Sequence, residues 1–270
     1  MAKKTYIGVN NVARQVKKVY IGVNGVARKV KKIYIGVANI ARQVFGGGEL
    51  SYYGKATSLS EARSNLAATS VGNYALFGGG ESSSTVDAYN TSLTRTSPTA
   101  LSEERGGLAA TSVGNYALFG GGSPFFSTVD AYNASLTRTS PTALSEERGD
   151  LAATSVGNYA LFGGGEMVMS SSTVDAYNTS LTRTSPTALS EARHYLAATS
   201  VGNYALFGGG AFDYSTVDAY DTSLTRTSPT ALSEARYYLA ATSVGNYALF
   251  GGGYKGNSVY CSTVDAYMVS

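Results

Sequence analysis

One tract, LAATSVGNYALFGGG, constrains the fold most, because it occurs five times, starting at Leu66, Leu108, Leu151, Leu196 and Leu239. The last glycines of successive tracts are 42, 43, 45 and 43 residues apart. A period of this size is typical of propeller blades and of some solenoids. We therefore expect each repeat to be one supersecondary unit that packs against its neighbours.

Each repeat predicts four short strands. In the first repeat, residues 66–71 and 74–77 flank a Gly-Asn pair, which favours a two-residue hairpin turn. Residues 84–89 are rich in β-branched and aromatic side chains and predict the third strand. The fourth runs over residues 93–101, and Pro98 makes it an edge strand. Helical periodicity is absent, apart from the short Leu-Ser-Glu-Ala-Arg segments.

The two ends of the repeat region favour ring closure. The last repeat stops after its third strand, and residues 55–63 resemble the end of the fourth strand in residues 186–193. We expect the N-terminal side to supply the missing edge, so that residues 46–267 form a closed propeller whose sheet edges are short and protected. An open solenoid of the same repeats is the alternative.

The order of elements resembles the kelch family: a glycine run after an apolar strand, then Val-Asp-Ala-Tyr-Asn, then Pro and a terminal Arg. The resemblance covers about four-fifths of the chain. It implies an all-β fold, a five-bladed kelch-like β-propeller of four-stranded blades over residues 46–270. Kelch domains are mostly binding modules, although fold alone does not assign function. The kelch Trp after the Tyr is absent, and packing between blades should differ there, where the chain has Arg95, Arg138, Arg183 and Arg226.

The repeats differ from one another at two places. A pair of residues varies after each recurring Arg, and a loop varies after each glycine run. Because successive strands in a blade are antiparallel, both places lie at the same end of every blade. The loops expected at the opposite end are nearly invariant. A constant scaffold with one variable face is the usual arrangement of binding loops on a rigid fold.

The variable residues suit binding. Tyr gives a large contact area at low entropic cost, and Ser, Gly and Asn give adaptable hydrogen bonds. We expect the aromatic ones to be exposed and to stack on sugar rings or anchor a protein partner. The alternative is drift in unconstrained loops. Every variable pair can also be reached by changing adenines in an Asn codon, which hints at targeted diversification. The candidate ligand-binding residues are Ser64, Asn65, Gly106, Gly107, Phe125, Phe126, Asp150, Met167, Met169, His194, Tyr195, Phe212, Asp213, Tyr214, Tyr237, Tyr238, Tyr254, Lys255, Asn257 and Tyr260.

Residues 1–45 are a different module. Three copies of a 14-residue unit begin at Lys3, Lys17 and Lys31, and Asn24-Gly25 between two apolar runs favours a hairpin. We expect a meander of three hairpins. It carries 10 Lys or Arg and no acidic residue, whereas the rest of the chain has a formal charge of −7. The Lys pairs protect strand edges or bind an acidic partner, and a module this small is expected to need a partner or self-association.

These Tyr-Ile-Gly-Val-Asn-x-Val-Ala-Arg units resemble short repeats of phage and prophage structural proteins. The resemblance implies a virion component at the tail or surface. No secretory signal or membrane-spanning segment is recognised, so we expect synthesis in the host cytoplasm and a virion location. Residues 1–45 would bind a virion protein or self-associate, and no nucleic acid partner is expected.

Catalysis has little support in the sequence. The one histidine, His194, is expected to be a surface loop residue, and the single Cys261 excludes an intrachain disulfide. The Glu and Arg that recur in every repeat are expected to hold the fold together, and the recurring Asp to be strand or turn residues. We therefore expect no cofactor, no metal and no enzymatic activity.

The sequence favours a non-enzymatic binding module of a phage or prophage virion or tail protein. Its variable face would bind a host-surface glycan or protein. Two alternatives are a structural decoration or assembly protein of a virion, and a kelch-like adaptor for a cellular protein.

Overall fold

The computed structural model describes six strands between residues 6 and 46, Tyr52, and residues 54–211, 214–256 and 259–269. Two compact units divide the chain, Met1–Lys55 and Ala56–Ser270. The boundary lies beyond the expected one after residue 45.

The first unit contains the three predicted hairpins, each a separate two-stranded antiparallel sheet. The turn residues expected to join the strands, Asn24 and Gly25 among them, lie outside the described residues. The strands are β1 (Tyr6–Val9), β2 (Val12–Gln15), β3 (Tyr20–Val23), β4 (Val26–Lys29), β5 (Lys32–Val37) and β6 (Ile40–Gly46).

The second unit consists of five antiparallel sheets, one for each repeat, and its described residues contain no α-helix. We number the sheets one to five in chain order. Sheet one contains β7 (Ala67–Val71), β8 (Tyr74–Gly78), β9 (Val86–Asn90) and β10 (Arg95–Thr96); sheet two, β11 (Ala109–Val113), β12 (Tyr116–Gly120), β13 (Val129–Asn133) and β14 (Arg138–Thr139); sheet three, β15 (Ala152–Val156), β16 (Tyr159–Gly163), β17 (Val174–Asn178) and β18 (Arg183–Thr184); sheet four, β19 (Ala197–Val201), β20 (Tyr204–Gly208), β21 (Val217–Asp221) and β22 (Arg226–Thr227).

Sheet five has three strands, β23 (Ala240–Val244), β24 (Tyr247–Gly251) and β27 (Val264–Met268). The variable loop between β24 and β27 forms a small hairpin of β25 (Tyr254–Lys255) and β26 (Val259–Tyr260).

The first three strands of each repeat are confirmed. Val71 pairs with Tyr74 across the two-residue turn, and Gly72 has a φ of 56°, a left-handed value that glycine adopts without strain. The fourth strand is much shorter than predicted, because pairing with the third strand is limited to Arg95 and Thr96. Beyond it, Pro98 cannot donate to a ladder. The chain then leaves the sheet as a link to the next repeat.

Neighbouring sheets pack through an aromatic ring seated on a glycine. A Cβ atom added to Gly78 of sheet one would lie 2.8 Å from the ring of Phe119 in sheet two. The same arrangement recurs at each of the next three junctions, ending with Phe250 on Gly208. Burial of a phenylalanine contributes roughly 2–3 kcal/mol. Four apolar clusters, one at each junction, therefore form the core.

A buried arginine joins each link to the next sheet. Arg105 follows sheet one, and its guanidinium binds the carbonyl oxygen of Phe119 and the carboxylate of Asp130, both in sheet two. Asp130 also accepts a hydrogen bond from Arg138, which lies near the position where a kelch repeat has its Trp. The recurring Arg and Asp thus hold the fold together, as predicted for the Arg. Their pairing with each other was not anticipated.

The two end sheets each leave one face open. First strands pack side by side from sheet one through to sheet five, but no comparable packing joins sheet five to sheet one among the described residues. Val244, Val264 and Met268 of sheet five are exposed, and Phe77 of sheet one is only half-buried, whereas Phe119 is fully buried.

The expectation that residues 55–63 complete sheet five is not confirmed, because the three strands of that sheet pair only with one another. The main-chain N–H and hydroxyl of Ser60 both bind Asp87 in sheet one, and Arg63 binds the same carboxylate at 2.9 Å. This segment is therefore a link onto sheet one, equivalent to the links between later sheets. Within the described residues, no helix is long and apolar enough to span a membrane.

Candidate ligand-binding face

The variable pair and the variable loop of each sheet are hydrogen-bonded neighbours. In sheet one the N–H of Glu81, the first residue after the glycine run, donates to the carbonyl of Ser64 at 3.1 Å. In sheet five the corresponding bond from Tyr254 to Tyr237 is 2.8 Å. The antiparallel strand order predicts this proximity. We call the surface formed by the five pairs and five loops the variable face.

The second residues of the five pairs form one hydrogen-bonded row. In sheets two to five, this residue donates its N–H to the carbonyl of the equivalent residue in the preceding sheet, over 2.9–3.1 Å. All five have positive φ values, between 51° and 59°. Main-chain groups therefore build the floor of the variable face, and the side chains are free to differ. The row runs in the order Asn65, Gly107, Asp150, Tyr195 and Tyr238.

Five tyrosines from sheets four and five form a continuous aromatic group, which we call the tyrosine cluster: Tyr195, Tyr237, Tyr238, Tyr254 and Tyr260. Tyr195 stacks on Tyr238 with ring centroids 4.0 Å apart, and Tyr237 stacks on Tyr254 at 5.7 Å. Tyr260 lies 4.8 Å from Tyr254. Tyr238 is 54% exposed and Tyr260 is 79% exposed, so the cluster presents ring surface to solvent.

His194 was expected at the surface but is buried, with 6% of its area exposed. One ring nitrogen lies 2.8 Å from the hydroxyl of Ser170, and the other lies 3.2 Å from the carboxylate of Glu166. Both partners belong to the variable loop of sheet three. That loop therefore covers the imidazole. The centroid of the imidazole ring lies 4.4 Å from the centroid of the Tyr195 ring. His194 therefore packs against one member of the tyrosine cluster.

Two carboxylates, Asp150 and Glu166, affect the titration of groups in this part of the face. Burial raises the pKa of Asp150, and the nearby carboxylate of Glu166 raises it further. The pKa of Tyr195 is also raised, first by its hydrogen bond to Tyr238, then by burial and by Asp150. Additional negative charge at the tyrosine cluster is therefore unfavourable.

The remaining candidates are spread around the face. Ser64 and Asn65 are exposed, while Gly106 is buried and Gly107 half-buried. The amide of Asn65 donates to Glu81 at 2.6 Å. The variable pairs of sheets one and two thus present small or polar groups, in contrast to the aromatic rings of sheets four and five.

Other candidates lie apart from the tyrosine cluster. Phe125 is exposed and Phe126 half-buried, and neither has a ring contact with the cluster among the described residues. Met167 and Met169 are exposed beside a groove of about 590 Å³ that Glu146 and Glu147 also line.

Tyr214 and Lys255 are half-buried, and the ammonium of Lys255 is bound to Glu234 at 2.8 Å. The predicted site residues Phe212, Asp213 and Asn257 lie outside the described residues.

Three residues of this face were missed by the sequence reasoning: Glu81, Glu166 and Ser170. All three lie in variable loops, and Glu81 and Glu166 come directly after a glycine run. Since that position bonds to the variable pair in every sheet, its side chain always lies beside the pair. The strand order could have identified Glu81 and Glu166.

Within the described ranges, no group of three or more His, Cys, Asp and Glu side chains could hold a metal ion. The fold and this face define a repeat protein of antiparallel sheets with one variable surface. Neither a family model nor a curated protein matches the chain.

Proposed function

We propose that the chain is a non-enzymatic binding module of a phage or prophage virion or tail, whose variable face binds a glycan or protein on the host surface. The observation that carries this proposal is the stacked pair of Tyr195 and Tyr238, which is held in a strained backbone conformation and remains open to solvent.

The strain argues for selection by function. Tyr195 and Tyr238 both have a φ of 52°, a region that costs a non-glycine residue on the order of 1 kcal/mol or more. Gly107 and Asn65 occupy equivalent places at lower cost. Folding alone would favour glycine or asparagine at all five. Strained, partly exposed tyrosines are the pattern expected where the side chain contacts a ligand.

The chemistry of the face fits a sugar or a protein surface. Tyrosine rings supply rigid contact area, and hydroxyl, amide and carboxylate groups around them supply hydrogen bonds. The small or polar side chains at Asn65, Gly107 and Asp150 leave room for an extended ligand along the row that ends at Tyr238. Binding is favoured over catalysis because the recurring Arg and Asp side chains, such as Arg148 and Asp175, are fully buried against each other.

Binding to a panel of bacterial cells tests the proposal. The full chain would be compared with a variant in which Tyr195, Tyr237, Tyr238 and Tyr254 are changed to Ser. The control is Tyr247→Ser, because Tyr247 is 46% exposed at the other end of β24. We expect the parent and the control to bind and the cluster variant to lose binding. Equal binding by all three proteins would exclude the variable face as the receptor site.

A second candidate is a structural decoration or assembly protein of a virion. The exposed apolar residues Val244, Val264 and Met268 of sheet five favour it, because such a face suits packing against a neighbour. The kelch-like adaptor remains a third hypothesis, and it requires a partner in the host cytoplasm. We propose that residues 1–45, with their ten positive charges, attach the module to a virion protein or to other copies.

We also propose that the five sheets are the blades of a kelch-like propeller closed by sheet five packing on sheet one. The open faces are the two halves of the junction that already occurs four times. Gly251 is the glycine that would seat a ring, and among the described residues only Val264 lies within 4 Å of an added Cβ atom. Phe77 of sheet one is the equivalent phenylalanine, and it has no glycine of a preceding sheet to pack on among the described residues. The main-chain row likewise starts at Asn65 and ends at Tyr238, so closure would add a fifth bond.

Two glycine variants test closure. Gly208→Ala places a methyl group 2.7 Å from the ring of Phe250 and is expected to cost about 1–3 kcal/mol of unfolding free energy. Gly251→Ala meets only the exposed side chain of Val264 at 3.3 Å in an open arrangement. A cost as large as that of Gly208→Ala would support seating of Phe77 on Gly251. A near-neutral Gly251→Ala would argue against a closed ring.

A further inference from the structure

Two carboxylates, those of Asp150 and Glu166, lie close to the tyrosine cluster. Glu166 lies against His194, whose ring contacts Tyr195 in the cluster, and Asp150 precedes Tyr195 in the main-chain row. The pKa of Tyr195 is raised first by its hydrogen bond to Tyr238 and by burial, and both carboxylates raise it further. A negative charge brought to this place would therefore be repelled, and a positive charge would be attracted.

Apart from His194, the described side chains of sheets four and five that carry positive charge are paired with other carboxylates. Lys255 is bound to Glu234, and Arg193 and Arg236 are buried against Asp218 and Asp265. Glu166 lies 3.2 Å from the imidazole of His194, whereas Asp150 has no ion pair among the described residues and is available to a charge from outside. The exposed ring of Tyr238 offers a second attraction for a cation, since the face of an aromatic ring carries a negative quadrupole.

We propose that the tyrosine cluster, with Asp150 and Glu166, binds the ammonium group of a surface glycan. This inference rests on the proposed function, and it names the chemistry that the variable face selects. An amino sugar and a quaternary ammonium substituent share this chemistry. Glycans whose amine is acetylated, or that carry phosphate or carboxylate groups, are selected against.

To test this inference, the full chain is titrated with small probes at one ionic strength. Nuclear magnetic resonance monitors the titrations and gives the affinity for each probe. Glucosamine carries the ammonium group, and N-acetylglucosamine is its neutral counterpart. We expect glucosamine to bind at least about tenfold more tightly, and Asp150→Asn to remove most of the difference. Asn keeps the size and tolerates the positive φ, so the variant is expected to fold. Equal affinity for the two sugars, or tighter binding of the neutral one, would overturn the inference.

Choline distinguishes the source of the ammonium group. Binding of choline as tight as that of glucosamine would support a quaternary substituent, and weaker binding would support an amino sugar. The proposed function has a different test, which is cell binding. It would be contradicted if the parent and the tyrosine cluster variant bound cells equally. If cells are bound through the cluster but glucosamine has no advantage, only the ammonium inference is lost.

Discussion

Arg148 donates a 2.8 Å bond to Asp175 in the following sheet, and both side chains are completely buried. The carboxylate also accepts bonds from the main-chain N–H of Ser145 and from Arg183. Because the charges compensate each other away from solvent, removal of one leaves the others uncompensated. The links between sheets are therefore held by ion pairs within an otherwise apolar stack.

Replacement of the central carboxylate should be strongly destabilising. We expect Asp175→Asn to lower the free energy of unfolding by about 3 kcal/mol, because the buried arginines lose their counter-charge. Guanidinium unfolding of the full chain measures this. Asp221→Asn is the matched control: Asp221 accepts main-chain bonds from Ser223 and Thr225, and asparagine makes the same bonds in earlier sheets. A loss below about 1 kcal/mol for Asp175→Asn would contradict a structural role for the pair.

Tyr238→Asn should separate binding from stability. The variant loses stacking worth about 0.5–1.5 kcal/mol but relieves backbone strain of similar size, so little net change in stability is expected. Host-cell binding should fall at least about tenfold if the tyrosine cluster is the receptor site. Thermal unfolding and cell binding are measured on the same preparation. Undiminished binding by Tyr238→Asn, or equal loss in Tyr247→Asn, would count against the cluster.

Asp150→Asn should stabilise the chain at neutral pH. The pKa of Asp150 is raised in the folded state, first by burial, so its ionised form is less favourable there than in the unfolded chain. The cost is present above the folded-state pKa and disappears as the pH falls towards about 3.9, the unfolded value. We expect a higher Tm for the variant at pH 7, and equal values near pH 3. A lower Tm at pH 7 would show that the carboxylate contributes to folding.

Glu234 should contribute stability with the opposite pH dependence. Hydrogen bonds from Cys261, Lys255 and Thr263 lower its pKa to about 2. A lowered folded-state pKa stabilises the fold above the unfolded value of about 4.3, and this contribution is lost as the pH falls towards 2. Glu234→Gln should therefore lower the Tm at pH 6, and the gap to the parent should close by pH 2. A gap that does not change with pH would exclude the ionised carboxylate as its cause.

Sequence periodicity and turn residues were sufficient to predict the repeat units, the first three strands of each repeat and the hairpin turns. Alternation and turn chemistry are local properties, so Gly72 and the residues around it could be assigned without the structure. The length of the fourth strand could not be predicted in this way, because the strand ends where the chain leaves the sheet as a link to the next one. Arg95 and Thr96 pair, but Pro98 already belongs to the link.

The candidate face was predictable as a set of loops but not as a set of contacts. Strand order places His194 beside the variable loop of sheet three, yet its burial depends on how Glu166 and Ser170 fold over it. The mutual stacking of tyrosines also follows from a backbone conformation that most sequences avoid. Long-range packing of variable residues is not encoded in the repeat itself.

The main-chain row from Asn65 to Tyr238 has a consequence for how such a face can change. Its hydrogen bonds use only N–H and C=O groups, so exchange of a side chain for any residue but proline removes none of them. The positive φ at each place tolerates glycine, asparagine and aspartate best and excludes β-branched residues. The ligand specificity of this face can therefore change by single substitutions in the row, among residue types that do not include valine, isoleucine and threonine.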